Sequence, residues 1–210
     1  MRSIRHWTPR YVRNRVAAAL YQRRNMDKPW LTPAANSMLA TLLKPTDAGI
    51  EWGSGRSTCW LAQRLATLTS VEHDPAWHGR VREMIAARGL TNVDYRLVTE
   101  RDPEGPERSP YVRVCAEMPD RSLGFALVDG VIREFCALAV LPKLAPGGVL
   151  VVDNINWFLD HPTHSPASRV GKGPANERWG EFVRHVAGWR MIWTSSGVTD
   201  TAIFFKPCAR

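Results

Sequence analysis

Two short runs of apolar residues constrain the fold of this 210-residue chain more than any other feature. Residues 123–128 read Leu-Gly-Phe-Ala-Leu-Val and residues 149–152 read Val-Leu-Val-Val, and neither run contains a polar side chain. Strands of a parallel sheet are buried on both faces and carry such runs, whereas strands with one solvated face alternate apolar and polar residues. The runs therefore predict a parallel sheet with helices on both faces.

Strand and helix patterns alternate along the rest of the chain. Further strands are expected at residues 48–51, 70–72, 93–98, 190–194 and 201–205, and helices at residues 34–43, after Ser57, after Asp74-Pro75, at 131–141 and around Trp179. The last two strands are joined by a tight turn, so they must be antiparallel. The remaining order implies right-handed crossovers in an open α/β sheet. We therefore expect one α/β domain over residues 30–210, with loops at 99–109 and 154–176.

The positive charge of the chain is concentrated at its beginning. The whole chain has 28 Lys and Arg against 20 Asp and Glu, but residues 1–28 alone hold eight of the basic residues and a single Asp. This basic arm, residues 1–29, therefore accounts for +7 of the net charge of +8. Its Val12, Val16 and Leu20 recur at helical spacing, which predicts a basic amphipathic helix as an N-terminal extension.

Several roles of the basic arm are compatible with this pattern. The arm could contact nucleic acid or an anionic membrane surface, it could be an organelle transit peptide, or its apolar stripe could pack on the domain. The domain lacks interleaved aromatic and basic motifs for stacking bases, so nucleic acid is the minority interpretation. No stretch reaches the roughly 20 apolar residues of a membrane span. The four cysteines show no paired spacing, which favours a reducing cytoplasm over a disulfide-rich secreted protein.

A glycine turn between the first strand and its helix is the main candidate binding motif. Residues 51–58 read Glu-Trp-Gly-Ser-Gly-Arg-Ser-Thr. Glycines let a backbone approach a ligand, and ligands of open α/β sheets bind beyond the carboxyl ends of the strands. Glu72, at the end of the second strand, is well placed to accept hydrogen bonds from ribose hydroxyls. Thr58 stands where a dinucleotide fingerprint has its third glycine, and Glu51 suits a cationic ligand better than a pyrophosphate.

These segments resemble the class I S-adenosylmethionine-dependent methyltransferases over residues 30–206. The matching segments are Ile50-Glu51-Trp52-Gly53-Ser54-Gly55, Val71-Glu72-His73-Asp74, Leu127-Val128-Asp129-Gly130, and Pro146-Gly147-Gly148 followed by Val151-Val152-Asp153-Asn154. The resemblance implies a Rossmann-like sheet of seven strands, mostly parallel, with the last one antiparallel. It also implies that S-adenosylmethionine is held at its methionine part by Glu51, Gly53, Ser54, Gly55 and Ser57 and at its ribose by Glu72, with His73 and Asp129 beside it.

Three oxygen-bearing side chains follow the two apolar strands. Asp129 ends the fourth strand and Asp153-Asn154 end the fifth, so their side chains converge if these strands are neighbours, about 4.8 Å apart. Two carboxylates and an amide suit Mg²⁺ or another hard divalent cation. This set is similar to that of the catechol and caffeoyl-coenzyme A type of O-methyltransferase. The alternative is that Asp129 binds only the cofactor and Asp153-Asn154 cap a turn. Those enzymes have a lysine after the first aspartate, whereas this chain has Arg133, which cannot act as a base.

The sequence thus predicts an S-adenosylmethionine-dependent enzyme that methylates an oxygen of a small hydroxylated acceptor, with possible assistance by Mg²⁺. Asp129 is a candidate catalytic residue, and His161, in the long loop after the fifth strand, is a candidate base. The rivals are a methyltransferase for RNA or protein recruited by the basic arm, a non-catalytic cofactor-binding scaffold, and a nicotinamide-dependent oxidoreductase. The acceptor and the oligomeric state cannot be read from the sequence.

Overall fold

The computed structural model describes residues 7–99 and 105–208. Its helices are α1 (Pro9–Arg24), α2 (Pro33–Leu42), α3 (Arg56–Ala62), α4 (Pro75–Ala87), α5 (Pro110–Arg113), α6 (Arg133–Val140) and α7 (Glu177–His185). Its strands are β1 (Ala48–Trp52), β2 (Thr67–Glu72), β3 (Val93–Leu97), β4 (Leu123–Val128), β5 (Leu144–Asp153), β6 (Arg190–Ser195) and β7 (Asp200–Phe205).

The seven strands form a single sheet in the order β3-β2-β1-β4-β5-β7-β6. The pairs β1–β2, β1–β4, β2–β3 and β4–β5 are parallel. Strand β7 is inserted between β5 and β6 and runs antiparallel to both. The predicted Rossmann-like sheet with an antiparallel last strand is confirmed. Because β4 and β5 are neighbours, the residues that follow them meet at one edge of the sheet.

Both faces of the sheet are buried, as the apolar runs predict. Ile50, Ala126 and Val152 point into a core with α5, α6 and α7, and this core includes Trp179 and Phe182. The alternate strand residues, among them Phe125, Leu127 and Val151, pack on the other face against α2 and α3. The central strands are therefore held from both sides.

Helix α1 packs on the domain, but not by its apolar stripe. Val12, Val16 and Leu20 are 42%, 54% and 45% exposed, and no residue of α1 is fully buried. The half-buried face carries Asn14, Tyr21 and other residues at helical spacing. Asn14 lies against Gly197 of the β6–β7 turn, and the Tyr21 hydroxyl accepts a bond from Asn36 of α2 at 3.4 Å. The alternative in which the apolar stripe of the basic arm packs on the domain is therefore wrong, because α1 packs by a different face.

Several boundaries differ from the sequence prediction. Strand β2 begins at Thr67, three residues before the predicted start at residue 70. Strand β5 begins at Leu144 rather than at residue 149, because Leu144 already pairs with Leu123 of β4. Helix α5 was not predicted, and residues 100–104 of the expected loop lie outside the described part of the chain. Within residues 7–99 and 105–208, none of the helices combines the length and apolar composition needed to cross a membrane.

Candidate functional site

The glycine turn after β1 lies directly against the end of β4. Gly53 adopts φ +90°, and a Cβ on it would lie 2.7 Å from the Asp129 carbonyl carbon and 2.7 Å from the Gly130 nitrogen. The backbone of this turn is fixed at both ends, because Gly53 donates to Val71 at 2.9 Å and Asp129 donates to Trp52 at 2.9 Å. A side chain at residue 53 would push the turn away from β4, so glycine is required here.

Glu51 lies beneath this turn and is completely buried. Its Oε1 accepts a bond from the Ser70 hydroxyl at 2.8 Å, whereas its Oε2 has no hydrogen-bond partner. Burial raises the pKa of Glu51 to about 7, although hydroxyl groups around it, including that of Ser70, lower it. An unpartnered buried carboxylate oxygen is costly and would be satisfied by a cationic donor.

Thr58 explains how the turn closes without a third glycine. Its hydroxyl accepts a bond from the Gly55 backbone N–H at 3.0 Å and lies 3.4 Å from the Ser70 hydroxyl. Thr58 and Ser57 are both buried in the first turn of α3. The side chain that departs from the dinucleotide fingerprint therefore stabilises the turn itself.

Glu72 is buried at the end of β2 and ties that strand to the glycine turn. Its Oε2 accepts from the Ser54 backbone N–H at 3.1 Å and from the Ser54 hydroxyl at 2.7 Å. Its Oε1 accepts from the backbone N–H groups of His73 and Asp74 at 2.7 and 2.9 Å. Ribose hydroxyls could join this carboxylate only by sharing or replacing the Ser54 hydroxyl.

Two aromatic residues that the sequence left unassigned complete the surroundings of the turn. Trp77 Nε1 donates to the Ser54 carbonyl at 2.7 Å, and the Trp77 ring stacks on Trp30 with centroids 6.3 Å apart. Tyr111, from the unpredicted helix α5, is fully buried, and its hydroxyl oxygen lies 2.0 Å from where a Gly130 Cβ would stand. Both contacts depend on tertiary packing, so spacing in the sequence could not reveal them.

Two clefts open beside the glycine turn. The first, of about 350 Å³, is lined by residues of the turn, of the end of β2 and of the end of β4: Gly53, Ser54, Glu72, His73, Asp74, Trp77, Asp129, Gly130 and Val131. The second, of about 160 Å³, is lined by Trp30, Ser54, Gly55, Arg56, Ser57, Trp77, Met84 and Asp129. Seven of the eight residues predicted to bind the cofactor line these clefts, and Glu51 lies beneath them.

The three residues of the expected metal set also come together, but a guanidinium group lies among them. Arg133 donates to the Oδ1 atoms of Asp129 and Asn154, each at 3.0 Å. Asp153 is buried, with Oδ1 accepting from the Thr201 hydroxyl at 2.6 Å and Oδ2 from the Asn154 amide at 2.8 Å.

This arrangement does not fit a divalent cation. Burial raises the pKa of Asp153, and the nearby carboxylate of Asp129 raises it further. Burial also raises the pKa of Asp129, whereas Arg133 lowers it. A metal would have to displace the Arg133 guanidinium from Asp129 and Asn154.

His161 lies in a different cleft from the candidate cofactor residues. Its ring stacks on Trp193 at 4.1 Å, and the cleft of about 440 Å³ that it lines with His164 is formed by Arg10, Arg13 and Asn14 of α1 and by residues 195–197. None of the residues around the glycine turn lines this cleft. The structure thus does not bring His161 together with Asp129, and its role as a base stays a prediction.

The sequence profile of a family described as Methyltransferase domain matches residues 50–155, from the middle of β1 to the residues after β5. This span covers half of the chain and includes both the glycine turn and the ends of β4 and β5. The chain belongs to this methyltransferase family. It is an S-adenosylmethionine-dependent enzyme with the class I fold, so the oxidoreductase alternative is excluded. The predicted superfamily and enzyme class are confirmed.

Solved structures show the same fold as this methyltransferase at low sequence identity. A protein from Corynebacterium glutamicum is 16% identical, with a TM-score of 0.61 over 99% of this chain and 95% of its own. An rRNA methylase from Streptococcus thermophilus is 12% identical, with a TM-score of 0.55 over 83% and 95% of the two chains. A protein from Streptococcus mutans assigned to the methyltransferases, in complex with SAH, is 10% identical, with a TM-score of 0.54 over 82% and 96%. None of the curated proteins matches the sequence.

Proposed function

We propose that this methyltransferase transfers a methyl group to an oxygen of a small hydroxylated molecule. The observation that carries the proposal is a cleft of about 520 Å³ between α1 and the domain, lined by Arg15, Ala18, Tyr21, Gln22, Trp30, Leu31, Thr32, Pro33, Ser196, Val198 and Thr199. Its size falls within the range of about 300–1,000 Å³ that is usual for small-molecule sites. Its lining of aromatic and aliphatic groups with a few polar ones suits a small aromatic or cyclic acceptor.

The position of this acceptor cleft relative to the glycine turn supports the proposal. Trp30 lines both the acceptor cleft and the cleft that contains Ser54 and Asp129. Its ring is stabilised there by Trp77 on one side and by the Arg56 guanidinium 5.2 Å from its centroid. The acceptor cleft therefore adjoins the cleft at the glycine turn, and the two clefts share Trp30 as a lining residue.

The residues around the turn fit S-adenosylmethionine. In the proposal, the unpartnered Oε2 of Glu51 accepts from the α-ammonium group directly or through water, and Gly53 to Ser57 surround the methionine part. Glu72 and His73 lie at the ribose, and the Asp129 carboxylate lies between the two clefts. A Streptococcus mutans protein that shares this fold was solved in complex with SAH, which supports a ligand of this class.

The bound cofactor supplies an electrophilic methyl group on a sulfonium sulfur. The acceptor hydroxyl gives up its proton to solvent, and its oxygen bonds to the methyl carbon as the carbon–sulfur bond breaks, with the electron pair remaining on sulfur. The chain contributes by holding the acceptor in line and excluding water, since positioning supplies most of the rate in such displacements. No Mg²⁺ takes part in the proposed step, because Arg133 already engages two of the three expected ligands.

Titration calorimetry with SAH, followed by a screen of phenolic and other hydroxylated acceptors, tests the proposed function. SAH should bind the wild type, and Glu51→Gln should bind it more weakly. Substitution of Gln22 by Leu in the acceptor cleft should raise the KM of any acceptor found while leaving SAH affinity unchanged. SAH binding without turnover of any acceptor would instead favour the non-catalytic scaffold, and equal loss of both ligands in the Gln22 variant would contradict the proposed acceptor cleft.

A second candidate function is methylation of RNA or protein recruited by the basic arm. It is favoured by one observation: α1 carries five arginines and no acidic residue, and none of its side chains is fully buried. RNA binding through this surface should weaken steeply as salt increases, with a slope set by the number of phosphate contacts. Replacing Arg10, Arg13, Arg23 and Arg24 by Gln should reduce that slope. The same variant also tests contact with vesicles that contain anionic lipid.

A further inference from the structure

Arg133 occupies an unusual position at the start of α6. The residue before it, Ile132, has a left-handed backbone with φ +41°, which turns the chain sharply after β4. The Arg133 side chain is only 12% exposed. Its guanidinium lies between the end of β4 and the end of β5, and the ring of Phe158 lies 5.8 Å from its carbon. The guanidinium therefore lies among the polar residues that follow the two apolar strands, Asp129 after β4 and Asp153-Asn154 at the end of β5.

All the hydrogen-bond donors of this guanidinium are used within the protein. Arginine has five N–H donors. Nε donates to the Gly130 carbonyl at 2.8 Å, one terminal nitrogen donates to the Asp153 carbonyl and to Asn154 Oδ1, and the other donates to the Asp129 carbonyl at 2.8 Å and to Asp129 Oδ1 at 3.0 Å. Five acceptors therefore match five donors, and they come from both strand ends.

Two of these five acceptors are side-chain oxygens that the expected divalent cation would need. Asp129 Oδ1 and Asn154 Oδ1 are taken by Arg133, and both oxygens of Asp153 accept bonds from Thr201 and Asn154. A dication could approach only by moving the guanidinium, and the two like charges would then repel each other in a partly buried site. The guanidinium and a metal exclude each other at this position.

We propose that Arg133 takes the place of a divalent cation in this methyltransferase. Its single charge and five bonds hold the ends of β4 and β5 together and fix the Asp129 carboxylate, which lines both clefts beside the glycine turn. Arg133 is therefore a positioning residue, and cofactor binding and methyl transfer need no metal.

The proposal also narrows the acceptor class, a step that rests on the proposed function. A metal can hold two adjacent oxygens of an acceptor and lower the pKa of a hydroxyl. Arg133 can do neither, because it has no free N–H donor and keeps its proton. The acceptor therefore needs no vicinal diol, and its hydroxyl must lose its proton without help from a metal, which an acidic hydroxyl does most readily. The expected acceptors are acidic phenols or carboxylic acids with a single reacting oxygen.

The first test measures SAH affinity of the wild type in EDTA and again in excess Mg²⁺, Mn²⁺ or Ca²⁺, together with the metal content of the purified protein. We expect the same SAH affinity in every buffer and no stoichiometric metal. Retained metal, or SAH binding that disappears in EDTA, would overturn the proposal. This test needs no acceptor, so it is independent of whether the proposed function is right.

The second test removes the guanidinium. Arg133→Ala should weaken SAH binding by at least about tenfold, because the Asp129 carboxylate that lines both clefts loses its charged hydrogen-bond partner. A low concentration of guanidinium ion or of Mg²⁺ should restore the affinity, because the vacated acceptors can then hold a free cation. A purely structural role predicts a loss that neither ion restores, and unchanged affinity in the variant would also contradict the proposal.

Two variants control this experiment. Arg178→Ala removes an arginine of α7 that is 46% exposed, pairs with Glu181 at 3.0 Å and contacts the Phe135 ring, so it should leave SAH affinity unchanged. Arg133→Lys keeps the charge and covers the case in which the alanine variant does not fold. Lysine has three donors in place of five, so its SAH affinity should fall between those of the wild type and the alanine variant; wild-type affinity with lysine would show that the five-bond arrangement is unnecessary.

The acceptor arm of the test compares a catechol with an acidic monohydroxy phenol and a carboxylic acid, all in EDTA. Turnover of an acidic acceptor with one reacting oxygen is expected. Turnover of the catechol alone, and only with Mg²⁺, would overturn the inference. If the metal and Arg133 results hold but no hydroxylated acceptor is methylated, the proposed function fails while the placement of Arg133 stands.

Discussion

At the scale of single residues, Glu51 shows how the site couples function to stability. Its pKa is raised from 4.5 to about 7 in the folded protein by burial. Because the folded state then binds more protons than the unfolded chain between these values, Glu51 favours folding below pH 4.5 and this contribution is lost as the pH rises through 7. A shift of this size corresponds to about 3 kcal/mol at alkaline pH.

Glu51→Gln should therefore change the pH dependence of stability. The variant removes the ionisation, so its unfolding free energy relative to wild type should rise between about pH 5 and 8, in denaturant titrations over that range. Its SAH affinity should fall by about 10- to 100-fold, because a hydrogen bond to a charged group contributes about 1.5–3 kcal/mol. A wild type and variant whose stabilities run parallel over this range would contradict the raised pKa.

Gly53 makes a second prediction at the residue scale. Gly53→Ala should lower the unfolding free energy by at least about 2 kcal/mol, since it adds strain at φ +90° to a clash with the backbone of β4. Gly79→Ala is the matched control, because a Cβ there meets nothing within 4 Å and alanine favours the helix by about 0.5–1 kcal/mol. Chemical unfolding of both variants checks this, and equal effects would show that the turn can relax.

The sequence predicted which residues lie at the site, but it did not predict which contacts their side chains make. Gly53, Glu72 and Asp129 lie beside the candidate clefts because strand ends bring residues to one edge of a sheet, and this follows from topology. Arg133 was recognised only as a departure from the lysine of related enzymes. That its side chain reaches Asp153, twenty residues away, depends on the left-handed turn at Ile132, which no local pattern indicates.

At the scale of elements, α1 gives the clearest disagreement between pattern and packing. The apolar stripe pointed to a buried face, but the face that packs carries Asn14 and Tyr21. Contacts with Gly197 and Asn36 decided the orientation, and these partners are distant in sequence. The central strands were predictable because their burial on both faces requires apolar residues, whereas a helix on the surface can pack by either face.

The orientation of α1 can be tested by substitution. Val16→Ser and Leu20→Ser should each change the unfolding free energy by no more than about 0.5 kcal/mol beyond the small difference in helix propensity, because both side chains are exposed. Tyr21→Ala should cost about 1–2 kcal/mol, since Tyr21 is half-buried, contacts Asn36 and lines the acceptor cleft. Thermal or chemical unfolding measures all three. A larger loss in the serine variants than in Tyr21→Ala would reverse the orientation.

At the scale of the whole molecule, the site joins parts of the chain that are far apart in sequence. The glycine turn, the end of β2 and the end of β4 meet in one cleft, and Arg133 connects that cleft to β5. Thr201 of β7 completes the connection by donating to Asp153 at 2.6 Å. A ligand held by these elements must therefore stabilise the sheet as a unit, provided that the domain unfolds cooperatively.

SAH should accordingly raise the stability of the whole domain rather than that of one segment. At a free concentration 100 times its Kd, a ligand that binds only the folded state adds about 2.7 kcal/mol, which corresponds to a shift of roughly 5–10 °C in Tm for a domain of this size. The shift should be the same in EDTA and in Mg²⁺, and it should be smaller in Glu51→Gln at the same SAH concentration. Circular dichroism and tryptophan fluorescence should report one common transition, because Trp52 and Trp179 lie in the core while Trp77 lies at the site. Separate transitions in the two signals would show that SAH stabilises the strand ends independently of the core. The contacts of Arg133 would then not couple the unfolding of the strand ends to that of the core.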